Sequence, residues 1–145
     1  MNNLIIGYTS GVFDLFHIGH LNILRRAKEQ CDYLIVAVST DGLVQEYKHK
    51  TPVICYDERI EIVKAIRYVD EVVPQFNRDK FAAWEKYHFN KMFVGDDWKG
   101  SPIFDEVEKK LSSVGVETVY FPYTKGTSSS TLKKALENIN GSVNR

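Results

Sequence analysis

Residues 11–20 read Gly-Val-Phe-Asp-Leu-Phe-His-Ile-Gly-His and join an apolar run, Leu4–Tyr8, to an amphipathic helical pattern that begins near Ile18. A junction of this kind leads from a strand into a helix N-terminus. The unpaired N–H groups and the positive end of the helix dipole then point at whatever lies in front of the turn. Gly11 and Gly19 let the chain turn sharply and let a ligand approach closely. The stretch therefore predicts an anion site, with phosphate as the expected ligand.

His17 and His20 are the side chains we expect to carry chemistry in this turn. They lie three residues apart, so on the first helical turn they project from one side and can donate hydrogen bonds to the same phosphoryl oxygens. The alternatives are a pair of structural histidines and a zinc site that includes Asp14. Only His49 and His88 remain as further histidines and no cysteine pair is present, so phosphate binding is favoured over zinc.

The composition fits one domain with a buried core. The chain has 145 residues, of which 43% are hydrophobic and 12% aromatic. We expect the domain to span residues 1–139 and the polar residues 140–145 to form a flexible tail. Nineteen basic residues balance nineteen acidic ones, so no overall positive field is available to attract nucleic acid or a membrane surface.

Cysteine use and hydropathy indicate a cytoplasmic protein. Cys31 and Cys55 are far apart and in no metal-binding spacing, which is typical of a reducing compartment. No apolar run approaches the roughly 20 residues that a membrane span needs, and the N-terminus has no signal-peptide pattern. We therefore expect no membrane partner.

Short β-branched runs alternate with helix-length amphipathic segments along the chain. The predicted strands are Leu4–Tyr8, Tyr33–Val38, Glu71–Val73, Lys91–Val94 and Glu117–Phe121. The predicted helices are Ile18–Gln30, Asp57–Tyr68, Arg78–Tyr87, Phe104–Ser113 and Ser128–Ile139. This alternation predicts an α/β fold, a doubly wound parallel sheet with helices on both faces, in which ligands bind beyond the carboxyl ends of the strands. We expect every motif to lie at that edge.

Five ordered motifs resemble those of a known family. They are residues 11–20, Ser39-Thr40-Asp41, Arg67-Tyr68-Val69-Asp70-Glu71-Val72, Gly95-Asp96-Asp97-Trp98 and Gly126-Thr127-Ser128-Ser129-Ser130. The His-x-Gly-His element is similar to the signature of the nucleotidyltransferase superfamily, and the third and fourth motifs point to its cytidylyltransferase branch. From about Ile5 to Lys134 the chain is identified as a member of the cytidylyltransferase family, which implies a single Rossmann-like domain.

The resemblance implies transfer of CMP from CTP to a small phosphorylated alcohol, with pyrophosphate leaving. Glycerol 3-phosphate is the leading acceptor, and ribitol 5-phosphate and phosphocholine are alternatives. Mg²⁺ is implied as the cofactor, held through phosphate oxygens and not directly by the protein. An ATP-using adenylyltransferase and a non-catalytic nucleotide-binding regulator remain open. A dinucleotide-binding oxidoreductase is disfavoured because no Gly-x-Gly-x-x-Gly follows the first strand.

The same resemblance implies a homodimer that pairs around Arg67–Val72. It places the nucleotide against the turn formed by Gly11, Val12, Phe13 and Asp14. His17 and His20 are implied to act at the α-phosphate, where charge develops as the bond breaks.

The segment Gln45–Pro52 is polar throughout, and we expect it to form a mobile loop. The family carries a lysine pair in this loop, so Lys48 and Lys50 are implied to be catalytic and to follow the triphosphate as its charge redistributes. Aligning the flanks requires one extra residue, so the division of work between the two lysines stays open. The alternative is a pair of solvated surface lysines.

Two arginines and two aspartates complete the implied contacts to the base and phosphates. Arg59 matches a family arginine that reaches a phosphate, and its planar fork suits bidentate binding. Arg67 is implied to contact the base or its surroundings with Asp70 as its orienting partner, and an Arg–Asp pair that braces a corner is the alternative. Asp41 and Asp97 are implied to lie on the cytidine side, where cytosine offers a donor at N4; a solvated acidic turn is the alternative for Asp97.

The Ser/Thr cluster before the last predicted helix is implied to grip the β- and γ-phosphates through Thr127, Ser128, Ser129 and Ser130, and an ordinary N-cap is the other interpretation. The family pattern here is Arg-Thr-x-Gly-Ile-Ser-Thr-Thr. Tyr123 stands where that pattern has its arginine. Lys125 lies two residues on and is the candidate replacement cation; the alternative is an exposed loop lysine without a role.

Overall fold

The strands of the sheet all run in the same direction. The computed structural model describes residues 4–96, 99–122 and 129–143. Within these ranges the strands are β1 Ile6–Gly11, β2 Tyr33–Ser39, β3 Glu71–Gln75, β4 Lys91–Gly95 and β5 Glu117–Phe121. The helices are α1 Ile18–Glu29, α2 Asp41–Lys48, α3 Tyr56–Lys64, α4 Lys80–Tyr87, α5 Pro102–Ser112 and α6 Ser129–Val143. The doubly wound parallel sheet predicted from the sequence is confirmed.

The strand order is β3-β2-β1-β4-β5, so the chain changes direction across the sheet after β3. β1 pairs with β2 on one side and with β4 on the other, both in parallel register. Such a reversal opens a crevice at the carboxyl ends of the two strands that flank it, and ligands of open α/β sheets bind there. The turn from β1 into α1 emerges at this crevice.

Strand β2 shows why helices cover both faces of the sheet. Its residues are buried from Leu34 to Ser39, as expected for a central parallel strand that reads as a continuous apolar run. Leu34, Val36 and Val38 join one buried cluster, which includes Leu24 of α1, whereas Ile35 and Ala37 join another, which includes Leu111 of α5. Fully burying one such side chain stabilises the fold by about 1.5–3 kcal/mol, so both layers contribute to the scaffold.

Helix α2 corrects the prediction of a mobile loop over Gln45–Pro52. Thr40 caps this helix, since its side-chain oxygen accepts a hydrogen bond from the Leu43 N–H at 3.1 Å. Leu43 and Val44 are buried, and the helix ends where His49 adopts a left-handed conformation with φ of 55°. The prediction rested on the polarity of this segment alone. It missed the Thr40 cap and the apolar pair Leu43 and Val44, which precede the segment.

The remaining elements agree with the prediction to within a few residues. β1 extends to Gly11 and therefore delivers the turn directly to the crevice. The last helix continues to Val143, beyond the predicted end at Ile139. In the part of the chain that the structure describes, no helix combines the length and apolarity needed to cross a bilayer.

Candidate active site

His17 and His20 form a reciprocal cap at the N-terminus of α1. The His17 Nδ1 accepts from the Gly19 N–H at 3.0 Å, and the His20 Nδ1 accepts from the His17 N–H at 3.3 Å. The two rings stack with their centroids 4.0 Å apart. The prediction that both rings share one side of the first helical turn is confirmed, and the capping bonds fix that orientation.

The two imidazoles are neutral near pH 7. Burial lowers the pKa of His17, and burial followed by the charge of His17 lowers the pKa of His20 to about 4. Because each Nδ1 accepts a hydrogen bond, the proton of the neutral ring is assigned to Nε2. The pair therefore carries two Nε2–H donors next to a helix terminus whose first turn contains no acidic residue, and the ring of His20 lines the first cavity described below.

The turn between β1 and α1 is held in an unusual backbone conformation. Phe13 and Leu15, which are both bulky residues, have φ values of 54° and 51°. This left-handed region is costly for residues of this size, and such outliers gather at functional sites. A Cβ at Gly11 would lie 3.1 Å from the Phe13 ring, so the glycine admits that ring. Gly11 thus makes room for the protein's own side chain in this structure.

Asp14 anchors the segment that follows α2. Its carboxylate accepts hydrogen bonds from the Val53 and Ile54 N–H groups at 2.8 and 2.9 Å, and Lys133 of α6 lies 3.3 Å away. Although burial opposes the charge, the two backbone bonds and Lys133 hold the pKa of Asp14 below its ordinary value. Asp14 therefore ties the histidine turn to the segment that carries Lys50.

Arg59 is completely buried, with 0% of its surface exposed. Its guanidinium donates to the Ile54, Val12 and Ser39 carbonyl oxygens at 2.9, 2.7 and 2.8 Å. A fourth bond, 2.6 Å long, goes to the Asp41 carboxylate, which also accepts from the Tyr56 N–H at 3.1 Å. Arg59 and Asp41 thus form an internal brace between β1, β2 and the segment before α3. The phosphate contact of Arg59 and the cytidine contact of Asp41 stay predictions.

Two cavities open at the carboxyl edge of the sheet. The first, of about 820 Å³, is lined by side chains that include His20, Lys48, Lys50, Lys133 and Lys134. Burial lowers the pKa of Lys48, and the charges of Lys133 and Lys50 lower it further. Several cations therefore face one volume, which is an arrangement that favours a polyanion. We call this volume the lysine cavity.

The second cavity, of about 600 Å³, lies against α4 and α5 and contains cations that the sequence prediction missed. Lys80 donates to the Ser10 hydroxyl at 2.6 Å, and burial followed by the charge of Arg78 lowers the pKa of Lys80 to about 8. The Arg78 guanidinium lies 4.5 Å from the centre of the Tyr47 ring. The sequence offered one signal for these cations. Arg78 and Lys80 are basic residues just before and at the start of α4, at the carboxyl edge of the sheet. We call this volume the α4–α5 cavity.

Val12 and Lys48 line both cavities, so the two volumes meet at the end of β1. The histidine turn lies at that meeting point. Lys48, the last residue of α2, therefore borders one anion-binding volume on each side. A group transferred from a ligand in one cavity to a ligand in the other would pass the histidine pair.

The expectation that every motif lies at the carboxyl edge is wrong for residues 67–72. These residues precede and begin β3, so Arg67 and Asp70 lie at the amino edge of the sheet. Asp70 accepts from the Leu34 N–H at 2.7 Å and pairs with Lys28 at 2.7 Å, and it does not orient Arg67. The predicted Arg67–Asp70 pair is absent from the described contacts. Within one chain, Arg67 is on the opposite edge from the histidines.

Several predicted site residues lie outside what the structure describes. Asp97, Lys125, Thr127 and Ser128 fall in the two gaps of the described ranges. Ser129 and Ser130 begin α6, and only their backbone is described. Among the residues with described side chains, no group of three His, Cys, Asp or Glu residues is arranged to hold a metal ion.

Comparisons with known proteins relate this chain to one family. Residues 8–135 match the model of the Cytidylyltransferase-like family. Over 129 residues the chain is 40% identical to glycerol-3-phosphate cytidylyltransferase of Staphylococcus aureus (strain NCTC 8325 / PS 47), which covers 88% of this chain and 92% of that protein. Over 135 residues it is 38% identical to the Bacillus subtilis (strain 168) protein of the same name, with 88% and 94% covered.

Two further similarities are more distant. The chain is 33% identical over 134 residues to FAD synthase of Thermococcus sibiricus (strain DSM 12597 / MM 739), with 90% of this chain and 89% of that protein covered. The crystal structure of the lipopolysaccharide core biosynthesis protein from Thermoplasma volcanium GSS1 superposes with a TM-score of 0.70 and 22% identity, covering 86% of this chain and all of that one. The latter likeness concerns the fold.

Proposed function

This chain belongs to the Cytidylyltransferase-like family, and we propose that it transfers CMP from CTP to a small phosphorylated alcohol, with glycerol 3-phosphate as the first acceptor to test. One observation carries the proposal. Two cation-lined cavities meet beside a pair of neutral histidines at a helix N-terminus. An in-line displacement needs this arrangement, because the attacking and leaving oxygens lie on opposite sides of the phosphorus.

The reaction divides between the two cavities. The acceptor phosphate, held near Lys80 in the α4–α5 cavity, attacks the α-phosphorus of CTP through one of its oxygens. The bond from the α-phosphorus to the bridging oxygen breaks, and pyrophosphate leaves into the lysine cavity. The acceptor phosphate is already ionised near neutral pH, so no protein nucleophile is required. Catalysis then depends on positioning and on stabilising negative charge.

The histidine pair supports the α-phosphate through hydrogen bonds and not through positive charge. Both rings are neutral near pH 7, and the two Nε2–H groups lie on one side of α1. Donors that are fixed before the reaction lose no energy to reorganisation when charge develops on the phosphoryl oxygens. Lys48, which borders both cavities, supplies a positive charge on a flexible side chain.

We propose Mg²⁺ as the cofactor, carried by the phosphates of CTP. The described side chains offer no three-residue carboxylate or histidine group for a metal, whereas the cations that line the lysine cavity would favour a phosphate chain that carries the ion. Bound there, the ion would offset part of the charge on the triphosphate. Removing Mg²⁺ with EDTA should stop turnover, and adding it back should restore the rate.

The cation that replaces the family arginine at Tyr123 has two candidates. Lys125 stays the one predicted from sequence. Lys133 is the one that the structure adds, since it lines the lysine cavity and lies 3.3 Å from the Asp14 carboxylate. In a site with bound triphosphate, the phosphates would compete with Asp14 for this ammonium group.

The first experiment measures pyrophosphate release while CTP, ATP, GTP and UTP are crossed with glycerol 3-phosphate, ribitol 5-phosphate and phosphocholine. Turnover with CTP and glycerol 3-phosphate is the expected result. Turnover with ATP would support the second candidate, an adenylyltransferase. The similarity to a FAD synthase is the observation that favours testing this candidate. Nucleotide binding without turnover on any acceptor would contradict the proposal and favour a regulator.

The second experiment separates the two cavities. Lys133→Ala should raise KM for CTP at least tenfold, about 1.4 kcal/mol, and leave KM for the acceptor within twofold. Lys80→Ala should raise KM for the acceptor at least tenfold and leave KM for CTP within twofold. Lys64→Ala is the matched control, because Lys64 lies on α3 and pairs with Glu61 at the surface. If both cavity variants raised the same KM, the assignment of one substrate to each cavity would be wrong.

A homodimer and a cytoplasmic location are also proposals. Few apolar side chains around Arg67–Val72 are free for a partner, because Val73 is buried in one core cluster and Val69 and Val72 pack against the other. Arg67 is exposed and contacts the half-buried Tyr68. Sedimentation equilibrium that shows only a monomer at micromolar concentration would reject the dimer. Cell fractionation tests the location.

A further inference from the structure

The lysine cavity has one wall that is held in place by buried hydrogen bonds. This wall is the segment between α2 and α3, residues 49–55. The Val53 and Ile54 N–H groups donate to the buried Asp14 carboxylate at 2.8 and 2.9 Å, and the Ile54 carbonyl accepts from buried Arg59 at 2.9 Å. Buried polar networks whose members are satisfied make the chain around them rigid. We call residues 49–55 the fixed segment.

The opposite wall is α6, which is largely exposed. Of residues 131–139, Leu132 and Lys133 are partly buried and the others are exposed. The Lys133 ammonium group pairs with the Asp14 carboxylate at 3.3 Å. An element that buries few apolar side chains is among the first parts of a protein to move. The structure thus sets a helix that can move against a segment that is fixed.

Both walls carry cations. Lys48 and Lys50 lie at the end of α2 and on the fixed segment, and Lys133 and Lys134 lie on α6. Burial and the charges of Lys133 and Lys50 lower the pKa of Lys48, so the two walls repel each other in the protein alone. A phosphate chain between the walls reverses this interaction, because the cations of both walls are then attracted to the same group.

The two walls also carry one exposed apolar side chain each. Val53 on the fixed segment is 54% exposed, Leu136 on α6 is 44% exposed, and both line the lysine cavity. A phosphate chain leaves such side chains in water. Movement of α6 towards the fixed segment brings the two together, and their contact removes apolar surface from water at about 25 cal/mol per Å².

The size of the cavity favours this movement. Its volume of about 820 Å³ is large among small-molecule sites, which span roughly 300–1,000 Å³. A phosphate chain is one part of a nucleotide and fills a fraction of this volume. Lysines on both walls contact one phosphate chain more closely when the walls approach each other.

We propose that α6 is a clamp that closes over the phosphate chain of the nucleotide. Lys133 leaves Asp14 for the phosphates, and Leu136 seals the cavity against Val53. The phosphate chain, and not the base, is the signal for closure. This inference rests on the proposed function, since it assigns a movement to the site that holds CTP there.

Hydrogen exchange measures the movement without turnover. Inorganic triphosphate with Mg²⁺ is the first probe, because it has the phosphate chain and no base. We expect the amides of residues 131–139 to exchange at least tenfold more slowly with saturating inorganic triphosphate or CTP than in the protein alone. CMP, which has a single phosphate, should change their exchange by no more than twofold. Absence of protection with either triphosphate, or equal protection with CMP, would overturn the inference.

A double-mutant cycle identifies the contact that closure forms. Val53→Ser and Leu136→Ser should each raise Kd for CTP at least threefold, because each removes one side of the seal. The double variant should raise Kd no more than the larger single variant does, because the two side chains make the same contact. Effects that multiply would mean that the two side chains act separately, and would overturn the inference.

Ile139→Ser is the matched control for this cycle. Ile139 is 58% exposed on α6 and is not among the described residues that line the lysine cavity. Its substitution should leave Kd for CTP within twofold of the parent value. An effect as large as that of Leu136→Ser would overturn the inference, since loss of any exposed apolar side chain of α6 would then suffice.

Failure of the inference and failure of the proposed function give different results. If CTP turns over with an acceptor but leaves the exchange of α6 unchanged, the helix is a static wall and cytidylyl transfer stands. If CTP slows the exchange of α6 but no acceptor yields pyrophosphate, the clamp stands and the proposed function is wrong.

Discussion

The two edges of the sheet use the same residue types in opposite ways. At the amino edge, opposite charges and polar groups meet within the chain. Lys28 pairs with Asp70 at 2.7 Å, and the Tyr33 hydroxyl donates to Glu71 at 2.7 Å. Such contacts satisfy the groups that make them, so this edge of the chain needs no ligand to balance its charge.

At the carboxyl edge, Asp14 and Asp41 also form ion pairs, with Lys133 and Arg59, but further like charges gather beside them. Lys48 faces Lys50 and Lys133, and their mutual repulsion contributes to the lowered pKa of Lys48. Phe13 and Leu15 hold left-handed backbone conformations beside them. Both features cost stability in the protein alone, and a bound polyanion would relieve the first. The comparison indicates that charge repulsion and backbone strain, more than the presence of charged residues, distinguish the functional edge.

The largest effect is expected at the brace that supports the carboxyl edge. Arg59→Ala should lower the free energy of unfolding by about 3–5 kcal/mol, because it leaves the Asp41 carboxylate and the Val12 and Ser39 carbonyl groups without their buried partner. The free energy of unfolding of Arg59→Lys should lie between those of the parent and Arg59→Ala, since one ammonium group cannot reach all these acceptors. Urea denaturation provides the measurement.

Lys64→Ala serves as the control for this brace, since its surface ion pair with Glu61 should contribute less than about 0.5 kcal/mol. If Arg59→Ala unfolded as easily as the control and no more so, the brace would contribute nothing. The phosphate contact implied by the resemblance would then be the better account of Arg59.

The next effect separates the two nitrogens of His20. Asparagine can place an acceptor near the position of Nδ1, and glutamine can place a donor near the position of Nε2. We expect His20→Asn to keep the cap and to lower kcat roughly a hundredfold or more through loss of the donor. His20→Gln should retain more of the activity. Steady-state kinetics with CTP decides, and greater activity in His20→Asn would show that the cap matters more than the Nε2–H donor.

Much of this edge could be predicted from the sequence because the determinants are local. The alternation of apolar runs and amphipathic segments predicts the parallel sheet, and the three-residue spacing of His17 and His20 places both rings on one side of a helix. The capping bonds between them involve only neighbours. A short stretch of sequence contains all the information needed for such features.

The rest depends on contacts between distant residues. Arg59 bonds Val12, which is 47 positions away, and Lys80 reaches Ser10 across 70 positions. No periodicity predicts either bond. The strand order sets both bonds. The position of Arg67, in contrast, follows from its place before β3 in a parallel sheet, so the predicted sheet already implied the amino edge for it. Gly7 is a similar case, because a Cβ there would lie 2.6 Å from the Phe93 ring of the neighbouring strand.

A pH effect of intermediate size should follow from the burial of His20. Its pKa is lowered to about 4 in the folded protein, whereas an unfolded histidine has a pKa of about 6.5. Between these values the unfolded state binds the proton and the folded state does not, so stability falls as the pH falls. From pH 7 to pH 4.5 this group should cost the protein about 2 kcal/mol.

The measurement compares the protein with His20→Gln in urea at both pH values. The parent protein should lose more stability than His20→Gln between pH 7 and pH 4.5, because glutamine does not titrate. The carboxylates titrate in both proteins and cancel from the comparison. A difference that stays constant with pH would mean that the imidazole is not held neutral by burial.

The smallest effect is expected at the amino edge, and it tests the comparison directly. Asp70→Ala removes the acceptor for the Leu34 N–H and the partner of Lys28, which should lower the free energy of unfolding by about 1 kcal/mol, since the site is partly exposed and water can replace the carboxylate. The turnover number should stay within twofold of the parent, because this edge lies across the sheet from the histidine pair. Glu61→Ala, which removes an exposed helix pair, gives the baseline for both measurements. A large loss of turnover with intact stability would break the comparison, since it would mean that the amino edge of one chain contributes to the site of another. Repeating the assay across protein concentrations would identify that case, because a site shared between two copies loses activity on dilution, whereas a site within one chain does not.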